Sequence, residues 1–278
     1  MADYKINIQI NLAGLIGELQ RSIQRTINLV TSGLETKQYV TGESLRLADT
    51  SFGITLDNNL IWDREQAQKE YSKWLLINGF RDVTESAGLF LESVHNILSY
   101  WELGIRQKEE GKLTGGHWNE IIVAGGRRFH SLGFPDKLDH LSKKHKLTLN
   151  EILTSEVLSI NATRNCMAHR GGVVSQKDVN CEDGLKIKWM KLTLVIQDED
   201  GEKEVVPPFV AEKDSVLGVR NREEVKVFPL GSQVEFTVQE FSDICWCFFV
   251  FGDSLRQSVE GRGTEMGFLS KKEKTIGA

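Results

Sequence analysis

The stretch LTLNEILTSEVLSINATRNCMAHRGG, residues 147–172, decides how the rest of the chain is read. Leu149, Ile152, Leu153, Val157, Ile160 and Met167 recur at spacings that gather them on one face of an α-helix. Thr148 with Glu151 fits a capping box, and Leu147 with Ile152 fits the flanking hydrophobic staple, so the helix is expected to open at Leu149. Gly171 and Gly172 can take the left-handed backbone that ends helices, which sets the stop near Arg170, after about 33 Å. Only 4 prolines stand in the 278 residues, so little elsewhere opposes helix, and the chain reads as mainly α.

Working outward, Leu12, Ile16, Leu19, Ile23, Ile27 and Val30 mark an amphipathic helix ending near Gly33. From Thr36 to about Leu60 the pattern dissolves into Thr, Ser, Gly, Asp and Asn, as in a loop, a short-strand region or a linker. Asp63 can cap a helix through Asn78, and Phe80 to Leu103 is again periodic, so the two form one long helix with a kink at Gly79. A turn at Gly111 to Gly116 precedes helical stretches at Trp118 to Leu132 and after Pro135-Asp136. Beyond the central helix, Ile187, Trp189, Leu192, Leu194 and Ile196 nearly alternate with polar residues, and QDEDGEK turns the chain back into Glu204 to Pro207 as a β-hairpin. A polar stretch leads to another strand at Val225 to Phe228. Thr237 and Glu240 form a second capping box, with Phe236 and Phe241 as its staple, for a buried final helix reaching about Ser258. Three regions follow: residues 1–60, a helix and loop of unassigned role; 61–260, a helical domain with a β insertion at about 185–236; and 261–278, a frayed tail.

Composition excludes several classes. Cys166, Cys181, Cys245 and Cys247 form no C-x-x-C pair and read as reduced, buried thiols. The opening MADYKINIQI lacks the marks of an export signal, so a cytoplasmic location is expected. The most apolar run, Cys245 to Phe251, falls far short of the roughly 20 residues a bilayer requires. A net charge of -5 argues against coating nucleic acid by bulk electrostatics, while leaving room for a local basic cleft.

The end of the central helix carries the chemistry. On an ideal helix Arg164 falls about 60° from Leu149, inside the apolar arc, where a permanent cation must find carboxylates, phosphates or water. Asn165 and His169 stand one turn apart on a common flank, and Arg164 is about 140° from His169, so convergence needs the Arg stem to wrap or the last turn to loosen. Plainer readings stand beside this one: an ion pair of Arg164 with Glu156, a cationic helix end formed by His169 and Arg170, and Cys166 as a packing thiol. Lys143 and Lys144, in a run with His145 and Lys146, can contact phosphates or form a solvated helix face, and Arg127 and Arg128 lie upstream. The histidines show no H-E-x-x-H or comparable spacing, so no metal and no cofactor is expected, and the Gly-Gly pairs at 115–116 and 125–126 match no phosphate loop.

Arg164-Asn165-Cys166-Met167-Ala168-His169 resembles the signature of the HEPN (higher eukaryotes and prokaryotes nucleotide-binding) superfamily, an Arg followed after four to six residues by a His, usually with a polar residue directly after the Arg. The resemblance covers roughly Asp63 to Arg170 and the last helix, and the motif closes a long helix just before a break, as in that family. It implies a HEPN-like helical bundle and a metal-independent endoribonuclease acting as a homodimer, the two motifs lining a shared cleft. His169 would be the acid or base, Arg164 would hold the scissile phosphate and Asn165 would orient it, with Arg170, Lys143 and Lys144 as substrate contacts. The implied setting is toxin–antitoxin or anti-phage defence, with RNA as substrate and an antitoxin or defence protein as partner. The alternative is a non-catalytic HEPN-like module that binds a protein or a nucleotide.

Overall fold

Asn11, Asp63, Asn150 and Thr237 each turn a side-chain oxygen onto the first free N–H groups of a helix, and these caps mark where the four longest helices begin. The computed structural model describes residues 10–41, 63–111, 115–198, 201–205 and 216–270. Within them α1 is Leu12–Thr36, α2 Arg64–Glu110, α3 Gly115–Trp118, α4 Gly125–His130, α5 Phe134–Lys143, α6 Glu151–His169 and α7 Val238–Glu265. A π-helical stretch, Asn119–Ala124, joins α3 to α4. The strands are β1 Leu185–Asp198, β2 Gly201–Glu204 and β3 Val216–Phe228. The protein is mainly helical with a small antiparallel sheet.

Its spine is α2, 47 residues long, or about 70 Å. Gly79 does not divide it. A Cβ there would lie 2.6 Å from Val30 Cγ2 and 2.8 Å from Phe241 Cζ, so the glycine lets α1 and α7 close on α2. The stripe expected on α1 is buried at Ile16, Leu19, Ile23 and Val30, and the helix ends at Thr36. Of the Thr36 to Leu60 region, Lys37–Tyr39 forms a 3₁₀ turn, and 42–62 lies outside the described residues.

The opening of α6 differs from expectation. Asn150, not Thr148, is the cap, accepting from Leu153 N at 3.1 Å, and Ile152 is 61% exposed and staples nothing. The cause lies upstream: Leu147 is buried, and its N–H donates to Leu141 O at 3.2 Å, so the chain stays bound to α5 until Asn150. At the other end Gly171 and Gly172 have φ of 60° and 78°, as the glycine pair implied.

The sheet has order β2-β1-β3. β1 pairs with β3 from Leu185↔Phe228 to Gln197↔Val216, so the strand expected at Val225 begins nine residues earlier, and the stretch read as polar loop supplies a long ribbon edge. Leu185, Ile187 and Trp189 turn one face into the core, and the Lys188 N–H donates to Ser159 Oγ at 3.0 Å, which fixes β1 to α6. Lys226 Nζ meets Glu240 Oε1 at 2.8 Å and ties β3 to the first turn of α7. Thr237 and Glu240 form the capping box as read, but α7 runs on to Glu265, and Phe268 beyond it stacks on Trp101 with ring centroids 5.8 Å apart. Residues 261–270 are therefore packed structure and not frayed tail, while 271–278 of the expected tail lie outside the described residues. One hydrophobic core runs through α1, α2, α5, α6, α7 and β1, with Phe80, Leu91, Leu141, Ile160, Ile187 and Phe248 among its most enclosed side chains.

Candidate functional site at the end of α6

Arg164 leaves α6 toward α2. Its Nη2 donates to Glu85 Oε1 at 3.1 Å and its Nη1 to Asn165 Oδ1 at 3.2 Å, while Nε is buried without a partner. Glu85 also receives Arg81 Nε at 2.8 Å, so one carboxylate serves two guanidinium groups. The Glu156 pairing is not made. Glu156 is buried, burial pushes its carboxyl above the usual range, and its neighbour is the Cys247 thiol, which donates to Oε2 at 3.4 Å.

Arg164 and Asn165 line an open groove of about 460 Å³ between α2, α5 and α6. Asn161, one turn earlier, extends the same polar strip, and Glu92 and Lys137 face it from the other wall. Lys137 Nζ lies 2.6 Å from Glu92 Oε1, and His130 Nδ1 is 3.0 Å from Glu92 Oε2. Burial raises the Glu92 carboxyl, but hydrogen bonds from Lys137 and His130 outweigh it and leave the group below the usual carboxylate range. The groove is thus ionic and nearly balanced in charge.

His169 is the last residue of α6, exposed, and outside the lining of that groove. Arg170 is already engaged: Nε donates to Asp178 Oδ2 at 2.7 Å and Nη2 to Oδ1, while Asp178 also accepts from Ser175 N at 2.9 Å and Oγ at 2.7 Å. That network pins the loop after α6. Lys143 pairs with Asp139 on its own helix at 2.7 Å, and Lys144 is exposed at the end of α5; neither lines the groove. Arg164 and Asn165 therefore come together, His169 stands a turn away, and Arg170, Lys143 and Lys144 face elsewhere. Cys166 is buried, and burial pushes its thiol up, against nucleophilic use.

Glu85, Glu92 and Lys137 escaped sequence reading because they come from α2 and α5, and no local spacing links them to Arg164. Asn161 was legible, standing four residues before Asn165 on one helix. No family model, no curated protein and no solved structure matches this chain. Among the described residues, three histidines form a further polar cluster between α2 and α5.

Proposed function

We propose that the protein is a metal-independent endoribonuclease of HEPN type that cuts RNA through attack by the substrate's own 2′-hydroxyl, and that it works as a homodimer. The observation that carries this reading is the polar strip at the end of α6, where Arg164 and Asn165 border an open groove and His169 stands exposed one turn beyond Asn165. A phosphate entering the groove competes with a half-exposed carboxylate, Glu85, for the Arg164 guanidinium. His169 takes the proton from the 2′-hydroxyl, and Arg164 stabilises charge on the phosphate oxygens as the 2′-oxygen attacks phosphorus. The P–O5′ bond breaks, a proton returns to the leaving oxygen, and the products are a 2′,3′-cyclic phosphate and a 5′-hydroxyl. A second copy brings a second motif to the cleft and offers the turn-wide gap between Arg164 and His169 a partner across it.

One observation favours a second reading. Arg164 and Arg170 are both matched by carboxylates within the chain, as in a non-catalytic module whose motif is structural. The two separate on RNA carrying a single 2′-deoxynucleotide at the mapped cleavage position. An enzyme of the proposed kind cuts the all-ribose strand, spares the substituted one and leaves a cyclic phosphate. His169→Ala and Arg164→Ala each slow it by about 10²–10⁴-fold. Intact RNA with wild-type protein, or cleavage indifferent to both changes, overturns it in favour of the module.

A further inference from the structure

We propose that His95, His140 and His145 bind one divalent transition-metal ion of zinc type, seated between α2, α5 and the turn that leads into α6. This goes beyond the ribonuclease reading and uses none of its residues. The ligands come from separated points of the chain, so no local spacing announces them, and the expectation of no metal from the sequence rested on local spacing alone.

One ring nitrogen from each of the three histidines lies within 4.8 Å of the other two. His95 Nδ1 and His145 Nε2 face each other at 2.8 Å, both side chains fully enclosed. Nitrogens bound tetrahedrally to zinc at about 2.0–2.1 Å stand roughly 3.3 Å apart, so shifts of about an ångström open this cluster around an ion. A hydrogen bond between His95 and His145 satisfies only that pair. His140 Nε2 remains buried without a partner, which a core built for imidazole–imidazole hydrogen bonding alone leaves unexplained.

The surroundings suit a metal ligand set. Glu102 Oε1 sits 3.0 Å from His145 Nδ1, on the ring edge away from His95, where a carboxylate orients a metal-bound imidazole and raises its basicity. Ser99 Oγ lies 3.5 Å from His95 Nε2, the longest reach of a hydrogen bond to the far edge of that ring. His95 stacks flat on Phe129 with centroids 4.2 Å apart, and Arg262 Nε donates to the His145 carbonyl at 3.1 Å, holding the turn against α7. Burial first, then the neighbouring His145, Lys144 and His140, hold the His95 imidazolium down to about 3, against Glu102. Burial and Lys144 lower His140 as well. Three imidazoles from α2, α5 and the turn after α5 make the ion a fastener that fixes one wall of the groove, about 15 Å along α2 from Glu85.

The test is Co²⁺ titration of the full chain after chelator treatment. One Co²⁺ per chain is expected, with intense visible d–d bands of tetrahedral nitrogen coordination, displaced by Zn²⁺ and not by Mg²⁺, together with a rise in melting temperature on binding. His140→Phe keeps a ring against Phe129 and should abolish the bands, Glu102→Gln should weaken binding by about 10–100-fold, and His130→Ala, outside the cluster, should leave the Co²⁺ bands as they are. If chelation unfolds the protein and Zn²⁺ alone refolds it, that also supports the site. Should His140→Phe fail to fold, the wild-type spectrum decides. Absence of Co²⁺ bands and of any metal-dependent melting shift in folded wild type, or unaltered binding by folded His140→Phe, overturns the proposal. RNA cleavage is not the readout, so either proposal can fail without the other.

Discussion

Arg164 and Arg170 both end on carboxylates, but the two pairs differ in burial, and burial decides what each can do. Glu85 is 47% exposed on its side chain and shared with Arg81, so its pair with Arg164 contributes about 0–1 kcal/mol to stability. Glu85→Gln should leave the melting temperature almost unchanged and tighten binding of an RNA oligonucleotide several-fold at 0.1 M salt, read by fluorescence anisotropy. Weaker binding by this variant would mean that Arg164 does not meet phosphate. Asp178 is the opposite case, its side chain 1% exposed. Burial raises its carboxyl, yet the hydrogen bonds from Arg170 and Ser175 prevail and hold it below the usual range. A depressed carboxyl contributes stability that is fully present above its unfolded-state value, near 3.9, and is lost as pH falls through the folded-state value. Asp178→Asn should therefore cost about 3 kcal/mol at pH 7 in urea unfolding, with the gap to wild type closing below about pH 4. A gap that stays constant down to pH 2 would contradict this.

Among the elements, α7 offers two glycines of opposite meaning. A Cβ on Gly252 would collide with Leu19 Cδ2 and lie 3.1 Å from Ile16 Cδ1, whereas a Cβ on Gly261 meets nothing within 4 Å. Gly252→Ala should destabilise by about 1–3 kcal/mol, because α1 must back away. Gly261→Ala should stabilise by up to about 1 kcal/mol, from helix propensity alone. Leu19→Ala removes the colliding atoms, so its cost and that of Gly252→Ala should be strongly sub-additive in a double-mutant cycle. Additive costs would mean the α1–α7 contact is looser than the structure has it. The same helix marks the limit of sequence reading. The Thr237–Glu240 box was legible because a cap is local chemistry, and so were the α1 stripe, the glycine stop of α6 and the existence of the β1–β2 hairpin, although its return strand is Gly201–Glu204, built mostly from residues read as turn, while the expected end at Pro207 lies outside the described residues. The cap of α6 was misassigned to Thr148 because burial of Leu147 against α5 overrode a matching local pattern. The last turn of α7 was hidden by Gly261 and Gly263, the second of which is small because Trp101 lies where its Cβ would be. Of the site, Arg164, Asn165 and His169 could be singled out because they share a helix. Glu85, Lys137 and the three histidines could not, since only the packing of α2 against α5 and α6 joins them.

For the molecule as a whole, that packing makes α1 part of one cooperative unit. Leu15, Ile16, Leu19, Ile23 and Val30 are all buried in the core shared with α2 and α7, and the Thr26 hydroxyl donates to the Asp82 carboxylate on α2. Burial of a large aliphatic side chain contributes about 1.5–3 kcal/mol, so these five contribute on the order of 10 kcal/mol, comparable to the entire 5–15 kcal/mol that holds a typical domain folded. Loss of α1 also removes Val30 from Gly79 on α2, and Leu19 and Ile16 from Gly252 on α7, opening the core where these glycines sit. A chain beginning at Asp63 should therefore show helical far-ultraviolet circular dichroism without a cooperative thermal transition and should bind a hydrophobic dye, while the full chain melts in one step. A truncated chain melting cooperatively within a few degrees of the full one would make α1 an accessory, and the groove would then belong to a smaller self-sufficient bundle. If α1 is integral, a weakened α1–α2 contact also loosens the wall that α2 gives the groove, so Leu19→Ala, expected to cost about 2–5 kcal/mol, should lower the proposed RNA cleavage only at temperatures where the melt has begun.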